Sequence, residues 1–166
     1  MRFILAALLV PVLATAEPRP SQLQVDGGLS VIGGGYERTI SGHLSVQAET
    51  FIFGTYFLPW FDAGEDVKGF GVGLRPTLFM RESGRGLYVA PYVRGVIVDD
   101  ESLTGATGFG YAAGVFVGWA FRLSESLDLR IGGGAQYIHA SVETAQGDVS
   151  FGTPFVALDA VLGYRL

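Results

Sequence analysis

The chain contains no cysteine, which excludes disulfides, thiolate metal sites and a cysteine nucleophile. Charged residues are sparse at 16%, against about a quarter in ordinary soluble domains. Acids outnumber bases, 16 to 11, for a net charge of −5, so the basic stripe of a nucleic-acid binder is missing. Histidine is nearly absent too, and His43 has no second His or Cys nearby to complete a metal site. Neither a metal nor a cofactor is expected. Long apolar runs are also missing beyond residue 16, where nothing approaches the about 20 unbroken apolar residues of a membrane helix. Yet mean hydropathy is high, at +0.38.

What the chain does have is glycine, 25 residues, and aromatics, at 13% of 166 residues, a length suited to one domain. The start reads as an address. Arg2 precedes an apolar stretch from Phe3 to Leu13, and Ala14-Thr15-Ala16 supplies a small-residue cleavage site before Glu17. Residues 1–16 are expected to be a signal peptide and residues 17–166 the domain it delivers, with Glu17-Pro18-Arg19-Pro20 as a short extended leader. A buried N-terminal helix is the alternative, but Pro11 and the small-residue triplet suit cleavage better.

Periodicity accounts for apolarity without runs. From Phe109 to Arg122 one parity holds Phe109, Tyr111, Ala113, Val115, Val117, Trp119 and Phe121, and the other Gly110, Ala112, Gly114, Phe116, Gly118, Ala120 and Arg122. A period of two over this length is a strand longer than most soluble proteins use. One face is bulky and apolar, the other small with a charge at its end. A soluble barrel reverses this arrangement, whereas a membrane barrel shows lipid the bulky face. The same alternation recurs at Ser21–Tyr36, Leu44–Phe53, Phe70–Met80, Leu87–Ile97, Leu127–Tyr137 and Phe155–Leu166. Each is long enough for a tilted crossing of about 9–11 residues. Val117→Arg is expected to disturb folding in lipid, and Gly118→Ser, on the other parity, to be nearly silent.

The links between segments alternate in length. Short ones lie near Glu37–Ile40, Arg81–Arg85 and Leu123–Ser126, longer ones at Thr55–Lys68, Asp99–Gly108 and Val142–Gly152. Short periplasmic turns and longer outer loops would place the C-terminus in the periplasm. Aromatics then fall at both interfaces, with Tyr36, Trp119, Phe121 and Tyr164 at one and Tyr111 at the other. The fold expected is all-β: an antiparallel up-and-down transmembrane barrel of about eight strands. Seven are readable. An even number is expected because an unpaired edge cannot face lipid.

On this pattern the chain resembles the small outer-membrane β-barrel domains of the OmpA and OmpX types, over Ser21 to Leu166. The most specific piece is Leu158-Asp159-Ala160-Val161-Leu162-Gly163-Tyr164-Arg165-Leu166. It looks like the terminal signal strand read by the barrel-assembly machinery, although such strands usually end in Phe where this one has Leu166. The resemblance implies a monomer integral to the outer membrane of a Gram-negative-type cell, with membrane lipids, lipopolysaccharide and the assembly machinery as its partners.

The lumen parity carries Asp26, Glu49, Asp128 and Asp159 against Arg75, Arg94, Arg122, Arg130 and Arg165. Opposite charges should pair across a barrel that its side chains can just fill. The expectation is a plug formed by Asp26, Glu49, Arg75, Arg94, Arg130 and Asp159, and a narrow channel is the alternative. The glycine runs Gly33–Gly35 and Gly132–Gly134 lack the helix junction and the Lys-Ser/Thr of a phosphate loop, and read as close strand packing. His139 and Ser141 share the outward parity and resemble the His-x-Ser pair of the outer-membrane lipid A deacylase, a serine esterase. However, Val142 follows the Ser where that family has Asn, and Thr153 stands where its acid is expected. The enzyme is therefore kept as an alternative. The segment holding Tyr56, Phe57, Trp60 and Phe61 reads as an exposed aromatic loop. A non-enzymatic barrel with a structural or surface-interaction role is the reading carried forward.

Overall fold

The computed structural model describes residues 21–29, 31–54, 67–82, 84–100, 106–144 and 147–166. Within them the alternating segments form β1 (Gln22–Gly28), β2 (Val31–Thr39), β3 (Leu44–Gly54), β4 (Val67–Phe79), β5 (Gly86–Asp100), β6 (Ala106–Arg122), β7 (Leu127–Thr144) and β8 (Gly147–Arg165). Each strand pairs antiparallel with the next and β8 pairs back to β1, closing an up-and-down barrel. Residues 1–20, including the cleavage-site reading, and residues 55–66, with Tyr56, Phe57, Trp60 and Phe61, lie outside the described residues.

The eighth strand was hidden in Ser21–Tyr36. This segment is two strands, β1 and β2, joined by a tight hairpin in which Gly27 still pairs with Ile32. The parity flips there. Leu23 and Val25 face out, 51% and 61% exposed, whereas Val31 is inside at 8% and Ile32 outside at 49%. The apolar alternation masks the turn because Val25, Leu29 and Val31 keep the same spacing across it. Two of the long links also prove shorter. β5 and β6 run on to Asp100 and from Ala106, and β7 and β8 run on to Thr144 and from Gly147. Ladder pairs therefore replace half of Asp99–Gly108 and most of Val142–Gly152. At the other rim β2 continues to Thr39, so Glu37 belongs to a strand and not to a turn. The β4–β5 turn uses Gly84 (φ 65°) and Gly86 (φ 78°), a backbone region that side chains disfavour.

The register sets the shape. Followed once round from Leu23 through Tyr36, Ala48, Leu74, Val93, Ala113 and Tyr137, it arrives on β8 at Pro154, ten residues short of Tyr164, the direct partner of Leu23. That stagger over eight strands tilts them by about 40° and gives a radius of about 8 Å. Strand lengths climb from 7 residues in β1 through 9, 11, 13, 15, 17 and 18 to 19 in β8. The rim carrying Ser21 and Leu166 is level, while the far rim rises round the barrel and drops in one step from β8 to β1.

Side chains sort as in an inverted protein. Large apolar residues point outward on every strand, including Val25, Ile32, Ile52, Phe70, Val93, Val115, Ile131 and Leu158. Inside lies a small aromatic core of Phe79, Tyr88, Ala90, Tyr92, Phe116, Ala120 and Ala157, bulkier than the lumen of small and polar residues expected from β6. Lumen glycines make the room. A Cβ on Gly118 would stand within 3 Å of the Ile131 carbonyl oxygen, of Gly132 Cα (2.6 Å) and of Tyr88 Cζ (2.7 Å). Gly118→Ser is therefore not silent: backbone, which cannot swing aside, blocks it.

Candidate functional site

The site is the lumen. Period-two alternation turns Asp26 of β1, Glu49 of β3, Arg75 of β4, Arg94 of β5 and Asp159 of β8 inward, and all five are buried. Arg75 is the hub. Its Nη1 donates to Asp159 Oδ1 at 2.6 Å, its Nη2 to Asp26 Oδ2 at 2.5 Å, and its Nε and Nη2 to Gln47 Oε1 at 2.9 and 2.6 Å. Arg94 donates from Nε to Glu49 Oε1 at 2.6 Å and from Nη2 to Glu49 Oε2 at 3.2 Å, with Asp26 Oδ2 a further 3.4 Å contact. Tyr88 adds a hydroxyl donor to Asp159 at 3.2 Å.

Aromatic faces surround the guanidiniums. Arg94 lies 5.4 Å from the Phe51 ring and 4.8 Å from Tyr92, and Arg75 lies 5.9 Å from Phe116. Tyr92 and Phe116 stack at 4.6 Å. Glycine again makes space, since a Cβ on Gly73 would stand 2.5 Å from Glu49 Oε1 and 3.0 Å from Arg94 Cγ. Each arginine is thus held by carboxylates and rings from several strands, the condition under which buried charge is tolerable.

A second layer lies nearer the Ser21/Leu166 rim. Arg130 grips Glu37 with two 2.6 Å hydrogen bonds and stacks 4.9 Å from Phe79. Its partner is therefore Glu37, not Glu49 or Asp159. Asp128 accepts from Arg165 Nε and Nη2 at 2.8 and 2.7 Å and from Gln22 Nε2 at 2.8 Å. Arg122 stands apart at the mouth, 3.8 Å from Asp128. Sequence reasoning passed over Glu37 because it assigned that residue to a turn. Its shared parity with Gly33 and Gly35 was the available signal. It also passed over Gln22, Gln24 and Gln47, which carry no charge to signal a partner.

These layers fill the cross-section. A recess of about 140 Å³ is lined by Gln22, Glu37, Phe79, Arg122, Asp128 and Arg165, on the level-rim side of the Arg75 cluster. The wild-type barrel should accordingly show near-zero conductance in planar bilayers. A large, steady conductance would replace the plug with the channel reading.

No protein-family model matches this chain, and no curated protein does. Among solved structures it is similar to the solution NMR structure of a de novo designed protein, TMB2.3. The two are 17% identical over 90% of this chain and 95% of that one, with a TM-score of 0.30.

Outside the barrel, Tyr36, Tyr111, Trp119, Phe121 and Tyr164 all face outward, between 44% and 54% exposed. Tyr111 stands toward the far rim and the other four toward the level rim. The Tyr36 hydroxyl donates to Ser21 Oγ at 2.5 Å. The His139 ring faces Tyr111, centroids 5.1 Å apart, and among the described residues no hydrogen bond joins it to Ser141. The side chain of Glu143 lies outside the described residues. His43 is not isolated: its Nδ1 bonds the Phe79 carbonyl at 2.9 Å and its Nε2 lies 3.8 Å from Glu82. Among the described residues no cluster of three or more His, Asp or Glu could hold a metal ion. Both glycine runs lie within strands, where Gly33 abuts Phe51 and Gly132 the Tyr88 hydroxyl.

Proposed function

We propose that this chain is an integral outer-membrane β-barrel, plugged by paired charges, with a structural or surface-interaction role and no catalytic one. A single observation carries this reading. Large apolar side chains ring the outside of all eight strands, while the ionised side chains are buried and paired inside. In water the outward belt would be an adhesive surface, whereas in a bilayer it is the solvated face. The closed ladder supports this as well, since only structures that satisfy every backbone group internally can cross hydrocarbon.

The widest break between strands, residues 55–66, lies at the far rim, so that rim is assigned to the cell exterior and the Ser21/Leu166 rim to the periplasm. Membrane lipids, lipopolysaccharide included, are the partners proposed for the belt, and the chain is proposed to act as a monomer. Leu158, Leu162, Tyr164 and Leu166 all point outward on β8, a comb that suits the segment proposed for the barrel-assembly machinery.

The test is fractionation of the expressed full chain. It should sediment with outer membranes, resist carbonate and urea extraction, and run as a heat-modifiable band in unboiled SDS gels. Recovery as a soluble periplasmic protein would overturn the proposal.

A further inference from the structure

At the level rim the lumen charges fail to cancel. Arg122 closes β6 and Arg165 closes β8. The β5–β6 register sets Gly86 beside Ala120, which leaves Arg85 just beyond the ladder, opposite the end of β6. The like charges of Arg165 and Arg85 both bear on Arg122. In a chain of net charge −5, guanidiniums gathered at one mouth call for a counter-charge, because clustered like charges repel.

The carboxylates at hand are already committed. Asp128 is gripped by Arg165 through hydrogen bonds of 2.8 and 2.7 Å and accepts another from Gln22. Arg122 therefore reaches it only at 3.8 Å, beyond hydrogen-bond distance. Glu37 is bound on both oxygens by Arg130. The recess thus presents Arg122, Arg130 and Arg165 against two carboxylates that have partners. Arg85 follows Gly84 on the recess wall, and its Nε is buried with no hydrogen-bond partner among the described residues. A buried donor is costly to leave unpaired.

Size and direction of the donors say what would balance them. The recess measures about 140 Å³, and about 10–15 Å³ of such space admits one water, so a polyatomic anion fits. Thr39 and Ser41 on its lining carry hydroxyls that can donate to a further oxygen. The guanidiniums approach from a turn and from two strand ends, and their planar forks match the oxygens of a phosphate. A carboxylate has two oxygens in one plane, and Asp128 already fills that role.

We propose that the level-rim mouth is a binding site for the phosphate group of a water-soluble compound, held by Arg122 and Arg85 with Arg165 beside them. The recess lies inside the wall whose outer face carries Tyr36, Trp119 and Tyr164, so bilayer headgroups stand on the other side of that wall. The site rests on the closed barrel and not on the lipid-facing belt.

The experiment uses the full chain refolded in micelles of a nonionic detergent and titrated calorimetrically with inorganic phosphate, with chloride holding the ionic strength constant. Wild type should bind phosphate saturably. Arg122→Gln should weaken binding by about tenfold, the usual result of losing a charge-assisted hydrogen bond. Arg122 is exposed, so this variant should keep its strand content by circular dichroism. Arg122→Lys, which keeps the charge and loses the fork, should fall between the two. Arg38→Gln removes an exposed arginine of the opposite parity to Glu37 at the same rim and should change binding little. Equal losses in Arg122→Gln and Arg38→Gln would mean diffuse attraction to a basic rim and would overturn the site, as would the absence of saturable binding. Phosphatidylglycerol added to the micelles should not displace phosphate; displacement would overturn the soluble source in favour of a lipid headgroup.

Discussion

Val93→Arg is expected to lower folding stability in lipid by about 2–4 kcal/mol, as a charge on the lipid face near the middle of the membrane. Val93 is 60% exposed and outward, and it is the central residue of β5, which runs from Gly86 to Asp100. Its ladder partners, Leu74 and Ala113, also lie well inside their strands, Val67–Phe79 and Ala106–Arg122. Val93→Leu, which keeps the site apolar, should change little. Val117→Arg should fall between the two. Val117 lies two residues from Trp119, so a long guanidinium there can reach the interfacial layer. Urea titration of the protein in vesicles, read by tryptophan fluorescence, gives all three values. If Val93→Arg and Val93→Leu behaved alike, the outward face would not be a lipid face.

Arg75→Met should have the largest effect of any lumen substitution, about 3–5 kcal/mol, the usual result of removing one partner from a buried ion pair. The local charge balance makes the case. Three carboxylates, Asp26, Glu49 and Asp159, share two guanidiniums, and Arg75 is within 3.9 Å of all three. Without it, three buried acids face Arg94 alone. Glu49→Gln is milder, because Arg94 retains its contact with Asp26 at 3.4 Å. Combining Arg75→Met with Asp26→Asn and Asp159→Asn should restore most of the loss, since replacing a whole buried charge group by neutral ones is often neutral in stability. Failure of the triple variant to recover would mean that Arg75 stabilises through packing against Phe116 rather than through its charge. Planar-bilayer recordings on the single variant test the plug separately, and conductance should rise from near zero.

How much of this could be read in the chain beforehand varied with the physical range of the signal. Strands β3 to β8 were legible because period two is local: each residue's face follows from its neighbours, and Val115, Val117 and Trp119 announce theirs without reference to any other strand. The β1–β2 hairpin was not, since its turn is so short that Val25, Leu29 and Val31 carry the alternation across it. The β7–β8 hairpin was obscured differently. Polar residues such as Glu143, Thr144 and Asp148 read as loop, but each finds a ladder partner on the facing strand.

Composition and alternation by themselves determined that this chain is all-β, that bulky apolar residues share one face of each strand, and that acids and arginines share the other. They could not determine which acid meets which arginine. Partnership across a lumen depends on register and stagger, and a shift of two residues on one strand changes every pairing while leaving its pattern of faces intact. Only the closed barrel, with its stagger of ten residues, brings Arg75 of β4 between Asp26 of β1 and Asp159 of β8, and Arg130 to Glu37. The step from β8 to β1 is likewise a property of the ring. It exists because strand lengths grow from 7 to 19 residues round a closed circuit, and the shortest and longest strands become neighbours only when that circuit closes.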